Sequence, residues 1–312
     1  MPDLPFCCIV NPTAGRGRTA RLWPEIEQVM RRAGLRFRIF FTEGRGHARE
    51  LAQKAVKREC GLVVAVGGDG TINEVVNGIA SNGASPEAAL ALLPTGSGND
   101  LCRTLGISGD PVATTLAICS GKYRMLDLGM VENRYFLNIC GVGFDAEVAH
   151  AVNQGFRWLR GTWAYLAGVF KTLMCFRPVP LDLTLDGNHL QIKGLLVAVA
   201  NGAFFGSGIK IAPRARVDDG LFDVCVVGDI SRLELLRVLP LTYSGRHENH
   251  PCVHFFRARE VTVSSPARKL YIQGDGELLG ETPAAFHIHK QAIRVLVPDK
   301  GTGMEYISKK AG

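Results

Sequence analysis

Over its first third the chain alternates short apolar runs with stretches in which apolar residues recur every three or four positions. "FCCIV" leads into "ARLWPEIEQVMRRAG", "FRIFFT" into "HARELAQKAVKREC", and "GLVVAV" into "TINEVVNGIASNG", before "AALALLP". The apolar runs are too short for core helices and fit strands buried on both faces, while the three-to-four spacing fits amphipathic helices. Strands and helices alternating at this length predict βα units on a mostly parallel sheet.

Near Leu126 the texture changes. Short runs rich in Val, Ile, Leu and Phe, separated by turn residues, follow one another: "LDLTLDGNHLQIKG", "LLVAVANG", "GLFDVCVVG", "REVTVSS", "KLYIQGDGELLG", "AAFHIH" and "AIRVLVP". Two of them fold about Asp186-Gly187 and Asp275-Gly276, a dipeptide that favours tight hairpins. The pattern predicts an α/β lobe over 1–125 and a β-sandwich lobe over 126–299, with the tail 300–312 returning to the first lobe. Two helical patterns interrupt the sandwich, at 231–245 and at 157–176.

With 312 residues and a high apolar content the chain is a folded protein of two domains rather than a disordered one. Lys and Arg number 36 against 29 Asp and Glu, a net charge of +7. That balance favours phosphate-bearing partners: nucleotides, nucleic acid or an anionic membrane surface. The nine cysteines are scattered without a C-x-x-C pair, which predicts reduced thiols in a cytoplasmic protein and no disulfide framework. The first residues lack the pattern of a secretory leader. In 157–176, Arg157, Arg160 and Lys171 break the apolar run below the length a membrane span needs. Trp158, Trp163, Tyr165 and Phe170 there read as a core helix, or as a helix with one end at a membrane surface.

The sharpest local feature is "LVVAVGGDGTINEVV" (62–76). A strand-to-helix turn can manage with one glycine, so Gly67, Gly68 and Gly70 imply that something approaches this backbone closely. Thr71 and Glu74 fit a capping box on the following helix, whose free N–H groups would then face the loop and favour a phosphate. Asp69 supplies a carboxylate for Mg2+, directly or through water. A bare GDG is an ordinary turn. GGDGT between a strand and a helix favours the ligand reading.

"LLPTGSGNDLCR" repeats the arrangement with Gly96, Ser97 and Gly98 ahead of Asn99 and Asp100, and "NPTAGRG" (11–17) forms a third loop with Asn11 and Gly15 placed for a nucleotide. Loops that follow parallel strands gather at the carboxyl edge of a sheet, where open α/β sheets bind ligands. Walker and protein-kinase motifs are absent. "GVGFDA" (141–146) matches a dinucleotide fingerprint but lacks the acidic residue that should follow, and no nucleic-acid motif is visible.

Together these segments resemble the diacylglycerol kinase-like lipid kinases, a family that includes sphingosine kinases and bacterial lipid kinases. The similarity runs through "NPTAG", "GGDGTINEVVNGI", "LPTGSGNDLCRTLGI", "GVGFDAEV", "RVDDGLFDV" and "QGDGE". It implies ATP and a lipid headgroup meeting between an α/β lobe and a β-sandwich lobe. The implied ATP contacts are Asn11, Pro12, Thr13, Ala14, Gly15, Thr42, Gly67, Gly68, Asp69, Gly70, Thr71, Ile72, Asn73, Glu74, Ser97, Asn99 and Asp100. Asp69, Asp100 and Asp127 would organise catalytic Mg2+, and Asp219 with the carbonyls of Arg216 and Leu221 a structural Mg2+. Asp275 or Glu277 would be the general base, although a DGE alone is more often a hairpin turn.

The resemblance implies a cytoplasmic enzyme, peripherally membrane-associated, that phosphorylates a lipid alcohol with ATP. Diacylglycerol leads, with sphingoid bases and other glycerolipids as alternatives. An NAD kinase shares GGDGT but leaves GSGND and DGE unexplained, and a catalytically silent lipid-binding regulator would not need every motif acid. His247, His250 and His254 suggest zinc, but Pro251 breaks any helix that would align them, so structural histidines fit better. Nothing in the pattern fixes the oligomeric state, and a homodimer stays open.

Overall fold

A computed structural model describes residues 6–81, 88–148 and 177–298. The chain forms two compact units, one through Asp127 and again from Lys290, the other from Leu128 to His289. The segments 157–176 and 300–312 lie outside the described residues.

The first unit is built on strands β1 (Phe6–Val10), β2 (Phe37–Phe41), β3 (Leu62–Gly67) and β4 (Ala89–Pro94), all parallel, in the order β2-β1-β3-β4. Every residue of β1, β3 and β4 is buried, which is why they read as unbroken apolar runs. Helices α1 (Ala14–Arg32), α2 (His47–Lys57), α3 (Asp69–Ile79), α4 (Asp100–Leu105) and α5 (Pro111–Ser120) connect and follow them. Trp23, Ile26 and Met30 form the inward stripe of α1, packing on Cys8, Val10, Val64 and Val66. The strand order reverses between β1 and β3, the place where such sheets open a crevice at their carboxyl ends.

Cys7 and Cys60 stand side by side with their Cα atoms 6.5 Å apart, a pairing that the scattered spacing of the cysteines did not suggest. Parallel pairing of β1 with β3 brings the start of one strand beside the approach to the other, within the ordinary disulfide span. Cys8, Cys102, Cys140, Cys225 and Cys252 are free thiols.

The second unit is a β-sandwich. One antiparallel layer has the order β12 (Val253–Ala258), β11 (Phe222–Val227), β10 (Leu196–Ala200), β7 (Ile139–Gly143), β14 (Tyr271–Gly274), β15 (Glu277–Glu281). The other holds the first part of β16 (Ala284–Val297), then β13 (Glu260–Ser264), β8 (Val179–Leu185) and β9 (Asn188–Gly194). β5 (Lys122–Val131) enters the unit and pairs with β6 (Arg134–Phe136). The Phe136 ring stacks on Phe222 of one layer at 5.8 Å and meets Phe286 of the other edge-on at 6.5 Å, tying the two faces together. Helix α6 (Arg232–Val238) and a 3-10 turn (Leu239–Tyr243) occupy the inserted apolar segment.

Both Asp-Gly hairpins form. Asp186 and Gly187 have φ +47° and +84°, and Asp275 and Gly276 have φ +46° and +89°. The predicted boundary at 125/126 falls two residues early. The second unit ends at His289 rather than 299, because β16 is one continuous strand whose Arg294–Leu296 pair in parallel with Ala89–Ala91 of the first unit.

Candidate active site

Four loops follow the carboxyl ends of the four parallel strands, and hydrogen bonds tie each to its neighbours. Asn11, after β1, donates from its side-chain amide to the Thr71 hydroxyl at the start of α3 (2.9 Å). Its Oδ1 accepts from the N–H and hydroxyl of Thr13. Pro12 is half-buried, Thr13 is exposed, and the chain then runs left-handed through Gly15, Arg16 and Gly17 before α1 becomes regular. Gly15 lies so close to the Thr95 carbonyl that a Cβ could not fit. Buried Thr19 and Thr95 share a 2.6 Å hydroxyl contact that joins α1 to the loop after β4.

Thr42, after β2, donates its N–H to the Val10 carbonyl and is buried. The loop beyond it is held by Glu74, whose two carboxylate oxygens accept the N–H groups of Gly46 (2.8 Å) and Ala48 (3.1 Å). The proposed capping box therefore does not form. α3 begins at Asp69, Gly68 occupies the cap position without a side-chain bond, and Thr71 and Glu74 serve Asn11 and α2 instead. Ile72 and Asn73 are buried in the body of α3.

The glycines divide into two kinds. Gly68 and Gly96 lie against each other, and a Cβ on Gly96 would collide with the Gly68 Cα, while one on Gly67 would meet the Thr71 side chain at 2.5 Å. Their absent side chains serve loop-against-loop packing. Gly70 is exposed at the first turn of α3 with nothing within 4 Å of where a Cβ would stand. It is the open position of the site, beside a helix N-terminus that no side chain caps.

Asp69 also has a structural duty. Its carboxylate accepts the N–H groups of Asn99 (2.7 Å) and Asp100 (2.8 Å), clasping the loop after β4 and the start of α4. Asn99 holds φ +56° and donates to the Gly96 carbonyl, while Ser97 is exposed at the tip. Asp100 is buried and pairs with Arg103 at 2.9 Å. Asp127, fully buried, accepts the Gln291 N–H at 2.7 Å. Among the described residues these three carboxylates do not gather into a ligand cluster. The set suits a Mg2+ that arrives on nucleotide phosphates and keeps most of its waters, rather than an all-protein cage. Cys102 beside them is no nucleophile: burial, then Asp69, pushes its thiol up to about 12.

In the second unit the DGE hairpin joins β14 to β15. The Asp275 carboxylate accepts the N–H groups of Leu137 (2.9 Å), Asn138 (3.1 Å) and Ile139 (3.2 Å). Glu277 is half-buried and pairs with Arg134 at 3.2 Å. Both acids are thus fixed in place, by different partners.

Sequence reasoning missed Asp145, at the end of the "GVGFDA" segment. Its carboxylate fills the space left by the missing side chain of Gly141 and accepts from Gln273, the residue two before Asp275, at 3.3 Å. Burial raises its pKa to about 6, against the opposing help of Gln273 and nearby backbone N–H groups. Its other oxygen makes no hydrogen bond of good geometry. The signal was present in the sequence, because "GVGFDA" is one of the segments that carry the family resemblance, but its acid was not singled out.

The DDG turn carries its own cation. Asp219 accepts the Leu221 N–H at 3.1 Å and is bridged by the Arg257 guanidinium, which also approaches Asp223 at 3.9 Å; Arg216 lies 3.7 Å from Asp218. A guanidinium therefore balances the charge that the implied structural Mg2+ would balance, and the residues do not fit that ion. Among the described residues, His250 alone of the three histidines falls in a group of possible ligands. His247 is buried against the Ile211 carbonyl (3.0 Å), and burial lowers its pKa. His250, Glu234 and Cys252 bring potential ligand atoms within 4.8 Å of one another. His250 Nδ1 accepts the Cys252 N–H at 3.3 Å, and in that tautomer Nε2 donates to Glu234 at 3.2 Å, so the contacts within the group are already made as hydrogen bonds.

Residues 5–131 match the diacylglycerol kinase catalytic domain, and residues 138–297 match the YegS C-terminal NAD kinase beta sandwich-like domain. The diacylglycerol kinase of Staphylococcus haemolyticus is 32% identical over 290 residues, covering 93% of this chain and 87% of that protein. That of a bovine Staphylococcus aureus strain is 32% identical over 300 residues, covering 96% and 94%. The chain belongs to the diacylglycerol kinase family. A solved diacylglycerol kinase structure from Bacillus anthracis shares the fold, with a TM-score of 0.74 at 21% identity over 95% of this chain and 97% of that one.

Proposed function

We propose that this lipid kinase transfers the γ-phosphoryl group of MgATP to the hydroxyl of a lipid alcohol, diacylglycerol first, giving phosphatidic acid and ADP. The observation that carries the reading is the uncapped N-terminus of α3 with exposed Gly70 beside it, walled by the Asn11 and Ser97 loops. Backbone N–H groups there face an anion without a side chain in the way, and phosphoryl transfer draws mainly on such fixed donors and positioning. Mg2+, when bound, supplies positive charge to the phosphates.

The hydroxyl oxygen attacks the γ-phosphorus, the bond to the β–γ bridging oxygen breaks, and ADP leaves. The hydroxyl proton passes to a carboxylate of the DGE hairpin. Asp275 is oriented by three backbone amides and Glu277 by Arg134. Asp145 is held by Gln273 of the same hairpin arm.

The test is a competition: γ-labelled ATP with diacylglycerol, monoacylglycerol and sphingosine in mixed micelles, and with NAD+ in buffer. Label entering phosphatidic acid fastest supports the reading. Label entering NADP alone overturns it.

A further inference from the structure

We propose that the outer face of α6 and the turn after it is a docking surface for an anionic lipid bilayer. Among the described residues six large apolar side chains are exposed, and four of them, Leu233, Leu236, Leu241 and Tyr243, fall in this one segment at 71%, 51%, 37% and 57% exposure. Leu233, Leu236, Arg237 and Pro240 recur at the spacing of one helical face. Leu235 and Val238, on the opposite face, pack on the sandwich core. A helix with one apolar face already satisfied and a second facing outward needs an apolar partner beyond its own fold.

The platform is fixed. Ser231 caps α6 by accepting the Glu234 N–H, Thr242 is buried with its hydroxyl on the Leu239 carbonyl, and the Lys210 N–H donates to the Thr242 carbonyl at 3.0 Å. Arg232, Arg237 and Arg246 are exposed along the same segment, while Glu234 is turned to His250 and Glu248 to Arg214. Apolar side chains rimmed by arginine, with a tyrosine at the edge, match the boundary between acyl chains and anionic headgroups. Four partly exposed side chains fall well short of the roughly 800 Å2 per partner of a stable protein interface, which favours the bilayer over a second copy or another protein. No helix among the described residues is long and apolar enough to cross a membrane, so contact here is from one side.

This inference rests on the exposed face and not on the kinase reading. The test is flotation of the full chain with vesicles of phosphatidylglycerol and phosphatidylcholine, and of phosphatidylcholine alone, for wild type, Leu233→Asp/Leu236→Asp and Arg237→Gln/Arg246→Gln. Unchanged thermal melts establish that the variants fold. The expected result is wild-type binding that needs phosphatidylglycerol and weakens with salt. The leucine pair should lose at least about tenfold in partitioning, and the arginine pair should lose mainly the salt-sensitive part. Equal binding by the leucine pair, absent wild-type binding, or a wild-type dimer that the leucine pair dissociates would each overturn the proposal. Label transfer to a short-chain diacylglycerol in detergent, run in parallel, tests the kinase reading separately: wild type that floats but transfers nothing keeps this surface and loses that reading.

Discussion

Asp145 is buried where its charge is poorly supported, and replacing it by asparagine turns that into a measurable quantity. Burial raises its pKa from 3.8 to about 6. In that window the folded chain holds a proton that the unfolded chain has lost, so stability falls as pH rises through it and the full penalty stands above it. At about 1.4 kcal/mol per pH unit the rise is worth about 3 kcal/mol. Asp145→Asn keeps an acceptor for Gln273 and removes the charge. At pH 8 it should be more stable than wild type by up to about 3 kcal/mol, a gain of roughly 6–12 °C in Tm for a unit of this size. The advantage should shrink below pH 6 and vanish near pH 4. Thermal melts of both proteins across that range measure it. A variant no more stable at pH 8, or an advantage that does not depend on pH, would refute the reasoning. Costly charges are retained where chemistry uses them, so the same variant should lose lipid phosphorylation while it gains stability.

The two kinds of glycine should separate in the same assays. Gly70→Ala should keep or raise Tm, as expected for glycine-to-alanine at an open helical position, yet raise KM for ATP roughly tenfold or more, because the new methyl stands where the phosphate approaches. Gly96→Ala should cost about 1–3 kcal/mol in urea melts by forcing the loops apart. Asp275→Asn should lower both stability and turnover, whereas Glu277→Gln should leave the melt almost unchanged; at least one of them should lose roughly 10²–10⁴-fold in turnover, and unchanged turnover in both would remove the hairpin as the source of the base. Arg257→Ala should destabilise by about 1–2 kcal/mol because buried Asp223 loses its cation, while chelators should leave the wild-type Tm unchanged. A chelator-induced drop would restore a metal to the DDG turn.

What could be read from the sequence was whatever local pattern decides. Strands buried on both faces announce themselves as apolar runs, and Asp-Gly pairs announce tight hairpins because both central residues take positive φ. The gathering of the glycine loops followed from parallel strands alone. The failures share one cause, a partner far away in the chain. Thr71 and Glu74 have capping-box spacing, but Asn11, 60 residues earlier, and Gly46, 28 residues earlier, claim their side chains. Gly68 also admits Gly96, 28 residues on, which its own turn does not reveal. Asp219 read as a metal ligand because Arg257, 38 residues on, cannot be seen from the turn. Cys7 and Cys60 looked like scattered thiols until strand pairing set them side by side. Asp145 sat in a motif whose glycine makes room for a carboxylate rather than for a dinucleotide.

The most direct test of the nucleotide site is a crystal structure of the protein with Mg2+ and a non-hydrolysable ATP analogue. The β- and γ-phosphates should lie at the start of α3 within hydrogen-bond reach of its first N–H groups, over Gly70 and between the Asn11 and Ser97 loops. A nucleotide bound elsewhere on the chain, with the α3 N-terminus facing only water, would contradict the account.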